Sequence, residues 1–108
     1  MENGTYLAQF VTGIGHGHGV AIIRDNKVRG GDSWYWWTGN LDENADQISG
    51  SLTVCQHTTG NESVFGFFNE FELKLKGKPV GDAWQFEGLT PVAPGQAMQL
   101  NLRLLKSD

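Results

Sequence analysis

The 108-residue chain is predicted to fold as an all-β protein, an eight-stranded antiparallel up-and-down barrel with little or no helix. Three features predict this class. Apolar residues recur at every second position along most of the chain, the period of a half-buried strand. No segment sustains the i, i+3, i+4, i+7 spacing of an amphipathic helix. Turn-forming Gly, Asn, Asp and Pro separate the alternating runs at short intervals.

Each element follows from the pattern in order. Tyr6, Ala8 and Phe10 alternate with Leu7, Gln9 and Val11, a first strand. A Gly-rich break from Thr12 to Gly19 leads to a second, Val20-Ala21-Ile22-Ile23. Arg24-Asp25-Asn26-Lys27 reads as a hairpin, because Asn tolerates positive φ, and the return passes through Val28 to a corner at Gly30-Gly31. Ser33 to Gly39 carries Trp34, Tyr35, Trp36 and Trp37, more large rings than one small core accepts, so at least one ring pair faces outward or across an interface. A slip of one residue there exchanges every face, so the pattern alone does not fix which tryptophans point inward.

From Ile48 to His57, Ile48, Gly50, Leu52 and Val54 alternate with Ser49, Ser51, Thr53 and Cys55, one buried face and one wet one. A polar turn at Thr58 to Glu62 follows, and Ser63 to Glu72 holds one short helical turn at most. Phe71, Leu73 and Leu75 alternate with Glu70, Glu72, Lys74 and Lys76, the clearest strand signal in the chain. Gly77-Lys78-Pro79 is read as the next turn, then a strand through Val80, Asp82, Trp84 and Phe86, a loop from Pro91 to Gly95, and a last strand through Met98, Leu100, Leu102 and Leu104. Residues 1–108 read as a single domain. Closure into a barrel removes the unpaired edges that so many short strands would expose.

Composition bounds the function. Fifteen glycines stand among 39% apolar residues, so they punctuate a packed protein rather than a disordered one. Twelve acidic residues against eight basic ones, without a Lys/Arg cluster, disfavour direct nucleic-acid binding. Cys55 has no second cysteine to pair with, and Met1 to Phe10 lacks the features of a secretory signal, so a cytoplasmic location is expected. No apolar run approaches the ~20 residues that span a bilayer as a helix. The triplets Asn3-Gly4-Thr5 and Asn61-Glu62-Ser63 match a glycosylation acceptor by chance composition.

Candidate chemistry is sparse. His16-Gly17-His18 with His57 has the donor types of a zinc site, but four alternating glycines from Gly13 to Gly19 predict a mobile loop that would lose much entropy on presenting ligands, so no metal is expected. The same run does not fit G-x-G-x-x-G, which argues against nucleotide binding. Asp42-Glu43-Asn44-Ala45-Asp46 opens like a calcium loop, yet Gln47 and Thr53 occupy the positions of the turn Gly and the bidentate Glu. Ser33, Ser63 and Cys55 sit in no nucleophile motif, so no enzyme activity and no cofactor are expected. Two candidate sites remain: the acidic turn of Asp42, Glu43 and Asp46, suited to a basic protein partner, and an aromatic-lined ligand cavity built from Trp34, Trp36, Trp84 and Phe86.

The order of Gly4-Thr5-Tyr6, Gly17-His18-Gly19-Val20, Lys27-Val28-Arg29-Gly30-Gly31-Asp32, an aromatic strand ending at Gly39, an acidic turn and a strand ending near His57 resembles the GrlR-type negative regulators of type III secretion. The resemblance implies a lipocalin-like, often dimeric barrel that binds and restrains a transcriptional activator without touching DNA. It also implies contact through an exposed acidic run, matched here by Asp42, Glu43 and Asp46 and interrupted by Asn44 and Ala45. A cytoplasmic, homodimeric, protein-binding regulator is therefore the leading expectation. A small-molecule-binding barrel is the alternative, and a cavity of a few hundred Å³ is its requirement.

Overall fold

The computed structural model describes residues 1–60, 63, 65, 66 and 68–108. Its strands are β1 (Gly4–Val11), β2 (His16–Arg24), β3 (Lys27–Gly31), β4 (Tyr35–Asn44), β5 (Gln47–Gln56), β6 (Glu70–Val80), β7 (Ala83–Leu89) and β8 (Met98–Ser107). Each pairs antiparallel with its neighbour in sequence, and β8 returns to β1 to close the barrel. Among the described residues there is no helix. The expected eight-stranded up-and-down barrel is the fold.

Alternation converts directly into packing. Along β6, Phe71, Leu73 and Leu75 are buried while Glu70, Glu72, Lys74 and Lys76 are exposed. Tyr6, Ile23, Ile48 and Phe86 are the most deeply buried large side chains, each contributing about 1.5–3 kcal/mol through removal of apolar surface from water. Closure carries one irregularity: Thr5 pairs with Lys106 but Tyr6 with Leu104, so Leu105 is an extra residue that bulges outward. The β2–β3 hairpin turns at Asp25 and Asn26 with φ of 52° and 61°, the pair of positive angles that a two-residue hairpin compatible with strand twist requires.

Three boundaries differ from the pattern. The Gly-rich break is only a four-residue turn, closed by the Thr12 N–H donating to the Gly15 carbonyl at 2.8 Å, and His16 to Gly19 already belong to β2. Their glycines face inward beneath aromatic rings, so the segment is ordered by those rings. β4 continues past Gly39 to Asn44, because buried Leu41 and Ile48 extend the inner face across the hairpin. β6 likewise runs through Gly77-Lys78-Pro79 to Val80, and the turn falls at Gly81, with φ of 62°, and Asp82. Gly77 stays in the strand because the Phe86 ring covers it. Part of the expected turn at Thr58 to Glu62, of the Asn61-Glu62-Ser63 triplet and of the possible helical turn lies outside the described residues.

Antiparallel connectivity sorts the connections to two ends. The hairpins β2–β3, β4–β5 and β6–β7 share one end with both termini. The connections β1–β2, β3–β4, β5–β6 and β7–β8 share the other.

Candidate functional site

The two candidate sites fall at opposite ends of the barrel. At the hairpin end, Asp42 and Glu43 close β4 and Asp46 sits in the turn, all three exposed. They do not form one surface of equivalent charges. Asp42 lies on the outer face of β4, opposite Ser49 of β5. Glu43 has the opposite parity, and its carboxylate pairs with the Met1 amino group. Arg24 lies near this end too and pairs with Asp108 at 3.2 Å.

The β4 register settles the aromatic question. Tyr35 and Trp37 are buried, at 5% and 8% exposure, whereas Trp36 is 43% exposed on the outside. The inward row on β4 is therefore Tyr35, Trp37, Gly39 and Leu41. Trp37 lies against the glycines of β2 and β3: a Cβ added at Gly19 would stand 2.9 Å from its ring, and one at Gly30 would stand 2.6 Å from its Nε1. Phe10 covers Gly17 in the same way, at 2.8 Å, and meets Trp37 edge to face with centroids 6.0 Å apart.

Beside these rings a cavity of about 380 Å³ opens into the connection end of the barrel. Trp34, Trp37, Phe10, Phe65 and Phe71 line it together with inward aliphatic residues of every strand except β7. Of the four residues expected around a cavity, Trp34 alone lines it. Trp36 is on the wrong face of β4 to do so. Phe86 is buried over Gly77, and Trp84, which pairs with Pro79 and Leu102, packs half-buried against the core away from the cavity. Trp37, the ring that sequence reasoning did not select, was hidden by the adjacency of four aromatics. The inward glycines of β2 and β3 were the signal that a large ring lies over them.

The rim is fixed by Asp32, whose Oδ1 accepts the backbone N–H groups of Trp34 and Tyr35 at 2.8 Å each and tightens the β3–β4 connection. The Trp34 carbonyl accepts the N–H groups of His57 and Thr58, and the Tyr35 hydroxyl donates to the Phe68 carbonyl at 3.2 Å. His57 uses both ring nitrogens locally, Nε2 with the Asp32 carbonyl at 3.0 Å and Nδ1 with Thr58 Oγ1 at 2.7 Å. His16 and His18 share the outer face of β2, and no group of three His, Cys, Asp or Glu able to hold a metal forms among the described residues. Two of the three candidate nucleophiles are also committed elsewhere. Ser63 Oγ donates to the Gly66 carbonyl at 2.8 Å. Burial, and then the hydrogen bond its thiol donates to Glu70, push the Cys55 thiol above its ordinary pKa, which keeps it in the less reactive protonated form.

The family model of GrlR, a negative regulator of type III secretion, matches residues 1–104. The chain belongs to the GrlR family. Membership accords with the observed barrel and assigns the chain to a family of negative regulators. No curated protein matches the chain.

Proposed function

We propose that the protein is a non-enzymatic negative regulator of type III secretion that acts in the cytoplasm as a homodimer. It binds and restrains a transcriptional activator, without contacting DNA itself, and Asp42, Glu43 and Asp46 form part of the contact. The match to the GrlR family over residues 1–104 carries this reading. Exposure of all three carboxylates on the β4–β5 hairpin supports the choice of surface.

Exposed ion pairs contribute about 0–1 kcal/mol each. The carboxylates therefore orient and select a basic partner, while apolar contacts supply most of the affinity. Glu43 must leave the Met1 amino group before it can meet a partner, so it contributes less than Asp42 or Asp46.

Affinity capture from a lysate of the native bacterium, with the bound proteins identified by mass spectrometry, tests the reading. The protein is expected to retain a transcriptional activator, and the triple variant Asp42→Asn, Glu43→Gln, Asp46→Asn to retain it about tenfold more weakly, as loss of one to three exposed pairs implies. Equal retention by the variant overturns the acidic contact. Absence of any activator from the wild-type capture overturns the sequestration itself.

A further inference from the structure

The regulator reading draws on the acidic hairpin and leaves the opposite end of the barrel without a role. We propose that the cavity at that end binds one small apolar molecule, of acyl-chain or ring type, with its single polar group held at the mouth.

Size is the first argument. Protein interiors pack with few voids larger than a water molecule, and about 380 Å³ falls within the range of small-molecule pockets. The room is built by residue choice: Ala8 on β1, with Gly17 and Ala21 on β2, face inward and line it, where larger residues of the same strands would fill it. The expectation of a cavity of a few hundred Å³ for a small-molecule barrel is thereby met.

Polarity decides the chemistry. Among the described residues, the lining holds no Lys or Arg, and its one carboxylate, Asp32, is occupied at Oδ1 by two backbone N–H groups. A ligand charge carried into the interior would meet no partner, and an unpaired buried charge is strongly disfavoured. The buried part of the ligand is therefore hydrocarbon. Exposed Ser33 belongs to the lining at the connection end, so the cavity reaches solvent there and a polar head finds both water and a hydrogen-bonding hydroxyl. Trp34 and Trp37 in the lining give an intrinsic signal for occupancy.

The test uses the purified full chain. N-phenyl-1-naphthylamine, an uncharged apolar probe, is expected to brighten on binding and to quench tryptophan emission. Dodecan-1-ol and dodecanoic acid are each expected to displace it. Dodecanedioic acid, which carries a carboxylate at both ends and must bury one, is expected to compete at least tenfold more weakly than the monoacid. Ala8→Leu and Ala21→Leu, which narrow the cavity, are expected to weaken probe binding at least tenfold with unchanged circular dichroism, whereas Asp42→Asn/Asp46→Asn leaves it unaltered. Failure of the wild-type protein to bind the probe overturns the site. Equal competition by the diacid and the monoacid overturns the assigned chemistry, and that comparison requires no variant to fold.

Discussion

Ala45 holds a φ of 57° at the tip of the β4–β5 hairpin, a left-handed conformation that costs a residue bearing a Cβ roughly 1–2 kcal/mol. Glycine adopts it freely but loses more backbone entropy on folding, by roughly 0.5–1 kcal/mol. Ala45→Gly is therefore expected to stabilise the protein by about 0.5–1 kcal/mol, read as a higher urea midpoint with an unchanged slope. A lower midpoint would show that the neighbouring carboxylates, not the turn backbone, set the stability of the tip. Individual residues also show where the sequence was legible. Asp25-Asn26 announced its hairpin because Asn tolerates positive φ. Ala45 gave no such sign, so the acidic segment read as a loop although Asp42 and Glu43 are strand residues with opposite parity. The faces of Trp36 and Trp37 could not be read at all from β4, since four consecutive aromatics satisfy either register equally. What fixes them is the neighbouring strands.

At the scale of the element, β2 explains that choice. Its inner face reads Gly17, Gly19, Ala21, Ile23, rising in size from the connection end to the hairpin end, so large rings from β1 and β4 fit only near the connections. Two of the four glycines that suggested a mobile loop in the sequence, Gly17 and Gly19, are strand residues whose missing side chains are replaced by Phe10 and Trp37. Composition cannot distinguish those two uses of glycine; only the cross-strand partner can. Gly19→Ala is the sharp test, because the new Cβ would stand 2.5 Å from the Gly31 carbonyl and 2.9 Å from the Trp37 ring. Shifting backbone and ring together is expected to cost about 1–3 kcal/mol, measured by chemical denaturation, with a change in Trp37 fluorescence. An alanine tolerated without loss would mean that Trp37 does not rest on β2. Elsewhere the alternation was sufficient: the β5 and β6 faces, and the buried row on β8, appear in the structure as the sequence arranges them.

At the scale of the whole molecule, the outer wall of the barrel carries the case for the proposed homodimer. Register places Leu7 beside Val20, Val20 beside Gly31, and Gly31 beside Trp36, so one row crosses β1 to β4. Val20, Ile22 and Trp36 are each more than two-fifths exposed, an apolar patch on a wall that otherwise alternates with polar side chains. Gly31 carries no side chain between Val20 and Trp36 in this row. A twofold arrangement uses the same patch on both copies, so the Trp36 ring of each can pack on the apolar row of the other. The carboxylates named for the partner lie at the hairpin end of the barrel and the cavity opens at the connection end, which leaves this wall available to a second copy. Light scattering at rising concentration is expected to report twice the 11.9 kDa chain mass for the protein and the single mass for Trp36→Glu, which would bury a charge in the apolar row. A Trp36→Phe variant, keeping a ring in the patch, is expected to remain dimeric. A wild-type chain that stays monomeric at every concentration overturns the dimer. A dimer that persists in Trp36→Glu moves it to another face, with the outward bulge at Leu105 as the next apolar side chain to replace.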